Sequence, residues 1–492
     1  MHPRKLTFTR VPWIALGLAW TAMSAAVAGE LVAHPGPYVI VVSRQTAADP
    51  HWSPVVEALA AKHRAGVLTF SDSIRETLPA LRARFPRYVG FVATPETVTR
   101  TFVMDAHRMM RQLDDDPYAD AFWGILTGYN AANALRIARQ HEPLTIRKVA
   151  AGTELAMDMV EEGIWYCELN KNKTVRKDPG QPAVVLQGPD DTTEALVNTL
   201  NAYHADLFVT SGHATERDWQ IGFRYRNGSF KHANGLLFGL DTQDRTFPVR
   251  SPNPKVYLPV GNCLMGHIDQ PDCMATAWMN SAGVCQMFGY IQPTWYGYMG
   301  WGVLDYFVEQ PGRYTLTEAF FANHHALVHR LATFFPEWTA AEPDAAGRPP
   351  ASRSLSEKAR AAGLTLNDAR GLLFDRDVVA FYGDPAWCAR MADRPKAFEQ
   401  DLRCTNGEYV FEIQPRRGTD SFKPINTNGS QRGGRPFLAF LPHRVRDVKV
   451  LEGAELDPVI TDDFILVPNP QRGDPARSYR VRFTAQPQGP DR

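Results

Sequence analysis

The sequence predicts an α/β protein built on a parallel sheet and followed by a small all-β sandwich. From residue 38 onward, short β-branched runs alternate with amphipathic stretches, which is typical of strand–helix–strand units with right-handed crossovers. After Cys404 only alternating apolar runs separated by turn residues remain, a texture typical of a β-sandwich. The chain has 492 residues, which is enough for two or three domains.

The individual elements follow from the same patterns. Apolar, β-branched runs predict strands at residues 38–42, 66–70, 88–92, 182–186, 206–210, 255–260, 283–288 and 378–382. Helices are predicted at residues 53–63, 73–84, 131–140, 192–204, 274–281 and 355–373, the second of them opening with a capping box of Ser73 and Glu76. Strands of the sandwich are predicted at residues 409–413, 437–441, 445–451, 464–467 and 479–483.

The N-terminus has the three-part pattern of a secretory signal. Basic residues precede an apolar run over residues 11–22, and the small residues Ala26 and Ala28 follow it. An uncleaved anchor is the alternative, but the run is shorter than a bilayer span, and no other stretch approaches the roughly 18 apolar residues that a span requires. We therefore expect a signal peptide at residues 1–28 and a secreted, periplasmic or cell-surface protein that leaves the membrane after cleavage.

Charge and cysteine content narrow the class of protein. Lys plus Arg and Asp plus Glu number 53 each, so no net basic field attracts nucleic acid or an anionic membrane. Export makes disulfides feasible among the six cysteines, although spacing does not establish pairing. Cys388 with Cys404 is the pair that we favour. If one cysteine is a working thiolate, at least one of the other five is also free.

Two apolar strands end in residues suited to thiol chemistry. The strand at 206–210 runs into His213, and the strand at 255–260 runs into Cys263. Ligands and catalytic groups collect beyond the carboxyl ends of parallel strands, so we expect the two side chains to meet. The thiolate is then the nucleophile, the imidazole lowers its pKa and protonates the leaving amine, and the N–H groups of Ala214 and Cys263 bind the oxyanion. Inert packing of either side chain is the alternative.

These stretches resemble the gingipain family of cysteine peptidases, in the caspase-like clan CD. An apolar strand running into His213 and a second running into Cys263 form the pattern of that clan. The gingipain branch is favoured by three further stretches over residues 36–390: a strand with an Asp/Tyr-rich loop (88–92 and 113–120), a second strand (123–129), and Phe-Tyr-Gly-Asp-Pro-Ala (381–386).

The resemblance implies a caspase-like parallel sheet with helices on both faces, followed by an immunoglobulin-like sandwich. It divides the chain after the signal peptide into an N-terminal α/β subdomain at 29–120, a catalytic subdomain at 121–400 and a β-sandwich at 401–492. The implied activity is that of a secreted cysteine endopeptidase acting on polypeptides through a thioester. Its chemistry requires no cofactor.

The resemblance also implies acidic side chains near the pair. Glu154 is the candidate for orienting His213, and Asp206, Glu216 and Asp218 are candidates for recognising a basic side chain before the scissile bond. Each has a solvated surface carboxylate as its alternative. Two departures from the family lie beside the pair, since Ala214 replaces a glycine and Asn262 a small residue. The alternative function is therefore a catalytically inactive binding or surface protein on the same fold.

Metal-binding sites are the remaining class of functional site that the sequence suggests. Cys263, His267 and Cys273 lack the close pairs and the fourth ligand that zinc sites usually have. The acidic loop over residues 114–120 offers hard oxygen ligands for calcium, which gingipains bind structurally, and a solvated loop is its alternative.

The aromatic stretch at residues 290–301 is expected either in the core or as a wall of the substrate cleft.

Overall fold

The computed structural model describes residues 36–342, 354–470 and 473–488. The signal peptide predicted at residues 1–28 lies outside these ranges, as do residues 343–353. Within the described ranges, none of the helices has the length and apolarity that crossing a bilayer requires.

The α/β part of the molecule contains eighteen strands among the described residues. They are β1 (Tyr38–Ser43), β2 (Gly66–Phe70), β3 (Tyr88–Val92), β4 (Phe122–Leu126), β5 (Leu144–Ile146), β6 (Lys148–Ala151), β7 (Glu162–Tyr166), β8 (Lys173–Lys177), β9 (Val184–Gln187), β10 (Leu207–Thr210), β11 (Asp218–Gln220), β12 (Ser229–Ala233), β13 (Leu236–Leu240), β14 (Thr246–Pro248), β15 (Lys255–Pro259), β16 (Val284–Tyr290), β17 (Val379–Tyr382) and β18 (Ala389–Met391).

Twelve of these strands form one sheet in the order β2-β1-β3-β4-β17-β16-β15-β10-β6-β7-β8-β9. Neighbours from β2 to β17 and from β16 to β7 are parallel, whereas β16 with β17, β7 with β8 and β8 with β9 are antiparallel. The large, mostly parallel sheet that the sequence predicts is therefore present. It joins strands from the predicted N-terminal and catalytic subdomains, because β3 pairs with β4.

Twelve α-helices accompany these strands within the described ranges. They are α1 (Arg44–Ala48), α2 (Ser53–His63), α3 (Leu78–Arg84), α4 (Arg100–Met110), α5 (Ala131–Ala138), α6 (Thr193–Asn201), α7 (Met274–Ser281), α8 (Tyr298–Phe307), α9 (Leu316–Phe334), α10 (Pro336–Thr339), α11 (Glu357–Ala361) and α12 (Leu366–Asp375). The predicted capping box of Ser73 and Glu76 is confirmed, although it opens a 3₁₀ turn that precedes α3.

Aromatic packing fixes the two strands that precede the predicted catalytic residues. Every side chain of β10 and β15 is buried. The ring of Trp278 on α7 stacks on Tyr257 of β15 with 4.0 Å between centroids, and it lies 5.4 Å from the ring of Phe208 on β10. Such aromatic contacts stabilise a fold by more than the apolar area that they bury. The carboxyl ends of β10 and β15 are therefore a rigid base for a site.

The turn after β17 follows the strand that lies between β4 and β16 in the main sheet. The buried carboxylate of Asp384 contacts Lys62 at 2.8 Å and His63 at 2.7 Å, and it accepts a hydrogen bond from Tyr38 at 3.1 Å. Burial by itself raises the pKa of Asp384, but Lys62 and His63 hold that pKa far below its usual value. The turn over residues 381–386 thus stabilises the middle of the main sheet.

The C-terminal part is a two-sheet β-sandwich, as the sequence predicts. One sheet has the order β19-β20-β25-β22 and the other β21-β24-β23. The strands are β19 (Phe398–Thr405), β20 (Glu408–Pro415), β21 (Phe437–Phe440), β22 (Val445–Glu452), β23 (Val459–Ile460), β24 (Phe464–Val467) and β25 (Tyr479–Pro487). The smaller sheet also packs on the α/β part, since Phe440 lies 4.8 Å from Phe122 and Phe464 stacks 4.5 Å from His325.

Three predictions about elements and pairing need correction. The helix predicted at residues 355–373 is divided into α11 and α12, because Gly363 adopts a left-handed φ of 69°. The strand predicted at 182–186 is β9, an exposed antiparallel edge strand. Cys388 and Cys404 do not form a disulfide: Cys388 is buried before β18, whereas Cys404 is exposed in β19.

Candidate active site

The candidate site lies where five parallel strands end at one edge of the sheet. In spatial order these strands are β7, β6, β10, β15 and β16. The residues that follow them include Glu168, Thr153, His213, Cys263 and Thr294, respectively. The topology therefore places His213 and Cys263 after adjacent strands, in the region where α/β proteins bind their ligands.

Asn262 ties the two central loops together. Its Nδ2 donates to the carbonyl oxygen of Gly212 at 3.0 Å, and its Oδ1 accepts from Thr210 Oγ1 at 2.6 Å. The side chain is fully buried, so these hydrogen bonds form in a low-dielectric setting where they are strong. The residue before Cys263 thus bonds the residue before His213. A small side chain at position 262, as in the family pattern, would not make this link.

The thiol of Cys263 is half-buried and accepts a backbone hydrogen bond. The N–H of Thr294, in the loop after β16, donates to Cys263 Sγ at 3.2 Å. A hydrogen bond of this kind stabilises a thiolate more than a thiol. Leu264, the next residue, has a left-handed φ of 57°, an uncommon conformation for a branched side chain that tends to occur at functional sites.

The imidazole of His213 is exposed and lies against an aromatic ring. Its centroid is 5.0 Å from that of Phe223. Among the described residues, no hydrogen bond joins the imidazole to Cys263 or to a carboxylate. Catalytic hydrogen bonds often tighten only when substrate is bound, so the lack of this hydrogen bond does not by itself exclude the pair.

The backbone N–H groups of Ala214 and Cys263 are the two donors predicted for the oxyanion. Neither Ala214 N–H nor Cys263 N–H donates to another atom of the described residues. Ala214 forms a non-hydrogen-bonded antiparallel pair with Trp219, which directs its N–H away from that residue. Gly212 adopts the left-handed φ of 99°, whereas Ala214 does not have a positive φ. The strain that an alanine would suffer in a left-handed conformation therefore does not arise.

Two of the four predicted acidic residues, Asp206 and Asp218, are engaged by neighbours other than His213. Asp206 precedes β10, and its carboxylate accepts from the N–H groups of Arg147 and Lys148 at 2.9 Å each. It lies at the opposite end of the strand from His213, which removes it as an orienting or specificity residue. Asp218 accepts from Thr215 Oγ1 at 2.8 Å and closes the hairpin after His213.

Glu216 and Glu154 remain at the edge that holds the candidate pair. Glu216 contacts Nδ1 of His267 at 2.6 Å and lies 3.8 Å from Arg100. Burial raises the pKa of Glu216, but these two partners hold it below its usual value. Glu154 follows β6 and is half-buried, with its carbonyl oxygen accepting from Asn426 Nδ2 at 3.2 Å. Neither carboxylate contacts His213.

Glu168 is an acidic residue of the site that sequence reasoning missed. It follows β7 and is only 4% exposed. Its Oε1 accepts from Thr153 Oγ1 at 2.6 Å and from Ser211 Oγ at 3.2 Å, whereas Oε2 is buried without a partner. Its carbonyl oxygen accepts from Phe223 N–H at 2.7 Å, and Phe223 supports His213. A buried carboxylate with an unpaired oxygen is suited to a cationic group.

Aromatic side chains border the thiol, in part as the sequence predicts. Trp295, next to Thr294, is 47% exposed and lies 5.8 Å from the ring of Phe374. Trp301 is largely buried beneath Gly261, where a Cβ atom would lie 3.0 Å from the indole. The stretch at 290–301 therefore supplies one exposed and one largely buried indole, the latter directly beneath the residue that precedes Asn262.

The metal site considered for Cys263, His267 and Cys273 does not form. The Cys273 thiol is fully buried at the start of α7 and lies 3.6 Å from Thr276 Oγ1, while His267 pairs with Glu216. Two other groups of metal-ligating side chains converge within 4.8 Å among the described residues. One of them is His107, His324 and Asp377, but Arg111 and Arg376 already neutralise Asp377, so this group has no net negative charge to hold a cation.

The second group contains Asp114, Asp120 and Asp462, whose oxygens lie within 4.8 Å of one another. It spans the two parts of the molecule, because Asp462 lies between β23 and β24. Burial and repulsion from Asp114 and Asp116 raise the pKa of Asp120 to about 10. Arg444 contacts Asp462 at 2.6 Å and offsets one charge. The predicted acidic loop is therefore part of a partly buried cluster of carboxyl groups whose mutual repulsion Arg444 offsets only in part.

Comparisons with known proteins add little to this description. No protein-family model and no curated protein matches the chain. A solved structure described as "Structure of Protease" is similar with a TM-score of 0.41 and 10% identity, over 79% of this chain and 86% of that chain. The function proposed below does not depend on this likeness.

Proposed function

We propose that this protein is a cysteine endopeptidase of the gingipain-like type, with Cys263 as nucleophile and His213 as general acid and base. The observation that supports it best is the link made by Asn262. This buried amide holds the residue before His213 against the loop of Cys263, with 3.0 Å between Nδ2 and the Gly212 oxygen. A thiol that accepts a backbone N–H and an exposed imidazole are thereby kept at one edge of a rigid sheet.

The proposed reaction follows from these groups. His213 takes the thiol proton, and Cys263 Sγ attacks the peptide carbonyl carbon. The N–H groups of Ala214 and Cys263 stabilise the oxyanion. The C–N bond then breaks, His213 gives its proton to the leaving amine, and a thioester remains. Water attacks the thioester with His213 as base, which releases the carboxylate product and regenerates the thiol.

The proposed substrates are polypeptides with a basic residue before the scissile bond. Glu168 supports this assignment, because its buried Oε2 lacks a partner and its loop holds Phe223 against His213. A cationic side chain bound nearby would offset the charge of this carboxylate. Glu168 takes the role that the sequence assigned to Asp206, Glu216 or Asp218.

Covalent labelling tests the proposal directly. Purified protein treated with peptidyl acyloxymethyl ketones that have Lys, Arg, Asp or Asn at the reacting position is expected to be modified at one site by the basic probes. Intact mass and peptide mapping locate the adduct, which we expect on Cys263. Labelling should be lost in Cys263→Ala and strongly slowed in His213→Ala, since a neutral thiol is a poor nucleophile.

Cys404→Ala is the matched control, because Cys404 is an exposed thiol in the β-sandwich. This variant should label as the wild type does. Well-folded protein that no probe modifies would contradict the peptidase and favour the alternative, a non-catalytic binding or surface protein.

We also propose that the acidic cluster holds a structural calcium ion. Carboxylate oxygens are the donors that calcium prefers, and Asp114, Asp120 and Asp462 supply three of them in a partly buried position. The ion would offset the repulsion within the cluster. It would also fasten the loop before β4 to the β-sandwich and take no part in the chemistry.

Calcium is therefore expected to raise the melting temperature. At concentrations near a hundred times Kd, a ligand adds about 2.7 kcal/mol, or roughly 3 °C for a protein of this length. Scanning calorimetry with EDTA and with added calcium measures the shift. Asp462→Asn should remove most of it, whereas Asp401→Asn, an exposed carboxylate of β19, should not. An equal shift in Asp462→Asn would rule out the site.

A further inference from the structure

A segment of the C-terminal part crosses to the α/β part beside the candidate site. Residues 421–435, here called the strap, lie between β20 and β21. Ile425 N–H donates to the Glu309 carboxylate at 2.9 Å, and Arg432 Nε donates to Asp305 at 2.6 Å. Both acids are nearly buried, one on α8 and the other just after it. The strap is therefore anchored at two points on the end of α8.

The tip of the strap, residues 427–430, lies between these anchors and bonds loops on both sides of the candidate pair. Asn428 Nδ2 donates to Glu168 Oε1 at 3.0 Å, in the loop after β7. Ser430 Oγ donates to the carbonyl oxygen of Tyr296 at 3.0 Å, in the loop after β16. The strands β10 and β15, which lead into the candidate pair, lie between β7 and β16 in the sheet. The tip thus connects the two flanks of the site.

Two glycines let the tip pack closely on the start of α8. Gly429 has a left-handed φ of 101°, and a Cβ atom there would collide with the ring of Trp301. Gly297 precedes α8 with a φ of 84°, and a Cβ atom there would collide with Ser430 Oγ. A side chain at either position would therefore push the tip away from α8.

The loop that Ser430 contacts is the loop that bonds the thiol. Thr294 N–H donates to Cys263 Sγ at 3.2 Å, closer than the 3.8 Å between the same sulfur and the Thr294 carbonyl oxygen. The Thr294 hydroxyl also donates to the carbonyl oxygen of the residue before Cys263, at 3.3 Å. Within the described residues, the backbone of residues 292–296 has hydrogen bonds to two partners, the Cys263 thiol and the Ser430 hydroxyl.

The Ser430 hydroxyl fixes a peptide group that the rest of Tyr296 leaves free. The ring of Tyr296 is held separately, since its hydroxyl donates to Asp368 on α12 at 3.1 Å. A bond to the carbonyl oxygen restricts the rotation of the backbone itself. The N–H of Thr294, two residues earlier, is therefore kept in the direction of the sulfur.

An N–H group that points at a sulfur atom stabilises the thiolate more than the thiol. We propose that Ser430 is a positioning residue: by holding the Tyr296 carbonyl, it keeps the Thr294 N–H on Cys263 Sγ and increases the fraction of thiolate near neutral pH. The proposal rests on the proposed function in taking Cys263 as the nucleophile. It adds to the site a residue from the C-terminal part of the chain.

The pH dependence of alkylation tests this role on the full chain. Wild type and variants are treated with iodoacetamide between pH 5 and 10, and peptide mapping gives the rate at Cys263 apart from the rate at the exposed Cys404. In Ser430→Ala the midpoint of the profile should move up by roughly 0.5 to 1 pH unit, the effect of weakening one hydrogen bond. The plateau at high pH should not fall, because the thiol is fully ionised there.

Two matched variants accompany this measurement. Ser430→Thr retains the hydroxyl and should restore the wild-type midpoint. Thr427→Ala changes an exposed neighbour on the tip, whose side chain has no hydrogen bond within the described ranges, and it should keep the wild-type profile. Melting curves check that each variant is folded.

An unmoved midpoint in folded Ser430→Ala would overturn the inference, even if peptides are still cleaved. A lower plateau with an unmoved midpoint would overturn it too, because the strap would then affect only access to the thiol. Failure of the proposed function gives a different result, in which no peptide is cleaved by the wild type. A midpoint that still moves in Ser430→Ala of such a protein would support the action of the strap on the thiol.

Discussion

Replacing Cys263 by alanine is expected to lower kcat/KM for peptide cleavage by roughly 10⁴-fold or more, since removing a nucleophile leaves only binding and oxyanion stabilisation. The physical reason is that no other thiol or hydroxyl at the sheet edge is held by the Thr294 N–H, which lies 3.2 Å from Cys263 Sγ. His213→Ala should lower it by roughly 10²- to 10⁴-fold, the usual contribution of a general base. Steady-state cleavage of a fluorogenic Lys substrate measures both.

His267 supplies the decisive control for this prediction. It follows Cys263 by four residues and is paired with Glu216 at 2.6 Å, so on geometry alone it is the rival base. His267→Ala should keep most of the activity. The reverse result, an active His213→Ala with an inactive His267→Ala, would transfer the general-base role to His267 and contradict our assignment.

Neutralising Glu168 is expected to remove the preference for basic residues. Loss of one partner from a buried charge pair weakens binding by about 2–4 kcal/mol, so Glu168→Gln should lower kcat/KM for Lys substrates by roughly 30- to 1,000-fold. Cleavage after a neutral residue such as Gln should change far less. The measurement is the Lys/Gln ratio of kcat/KM, compared between wild type and variant.

Glu154→Gln is the matched variant. Glu154 lies at the same sheet edge, and it is bonded to Asn426 through its carbonyl oxygen rather than its carboxylate. It should leave the Lys/Gln ratio unchanged, whatever it does to the overall rate. A Glu168→Gln protein that still prefers Lys would show that another group binds the basic side chain.

Much of the sheet was predictable because its central strands are short, continuous apolar runs. The strand predicted at 206–210 is β10 (Leu207–Thr210), and the strand predicted at 255–260 is β15 (Lys255–Pro259). Runs of this kind indicate strands buried on both faces. Since parallel strands present their carboxyl ends together, the neighbourhood of His213 and Cys263 followed from the same pattern.

The rest of the site was hidden for identifiable physical reasons. Glu168 was missed because β7, with the sequence Glu-Gly-Ile-Trp-Tyr, lacks the uniform apolar texture of a buried strand. Asn428 lies in a Gly/Asn/Ser-rich segment whose composition indicates only a loop. Its hydrogen bond to Glu168 joins residues that are 260 positions apart in sequence. Asp206 was wrongly chosen for its nearness in sequence to His213, because the predicted strand at 206–210 already separates the two residues.

The order of strands in the main sheet has a consequence for how the chain folds. The strand β17 lies between β4 and β16 and pairs with both. It ends at Tyr382 and is the last strand of this sheet to be synthesised. During synthesis the first four strands exist long before their neighbour does, so their inner edge has no partner strand. Long-range pairing of this kind slows folding and leaves edges open to aggregation. A nascent chain of this protein would therefore depend on protection of those edges until residue 382 of 492 has emerged.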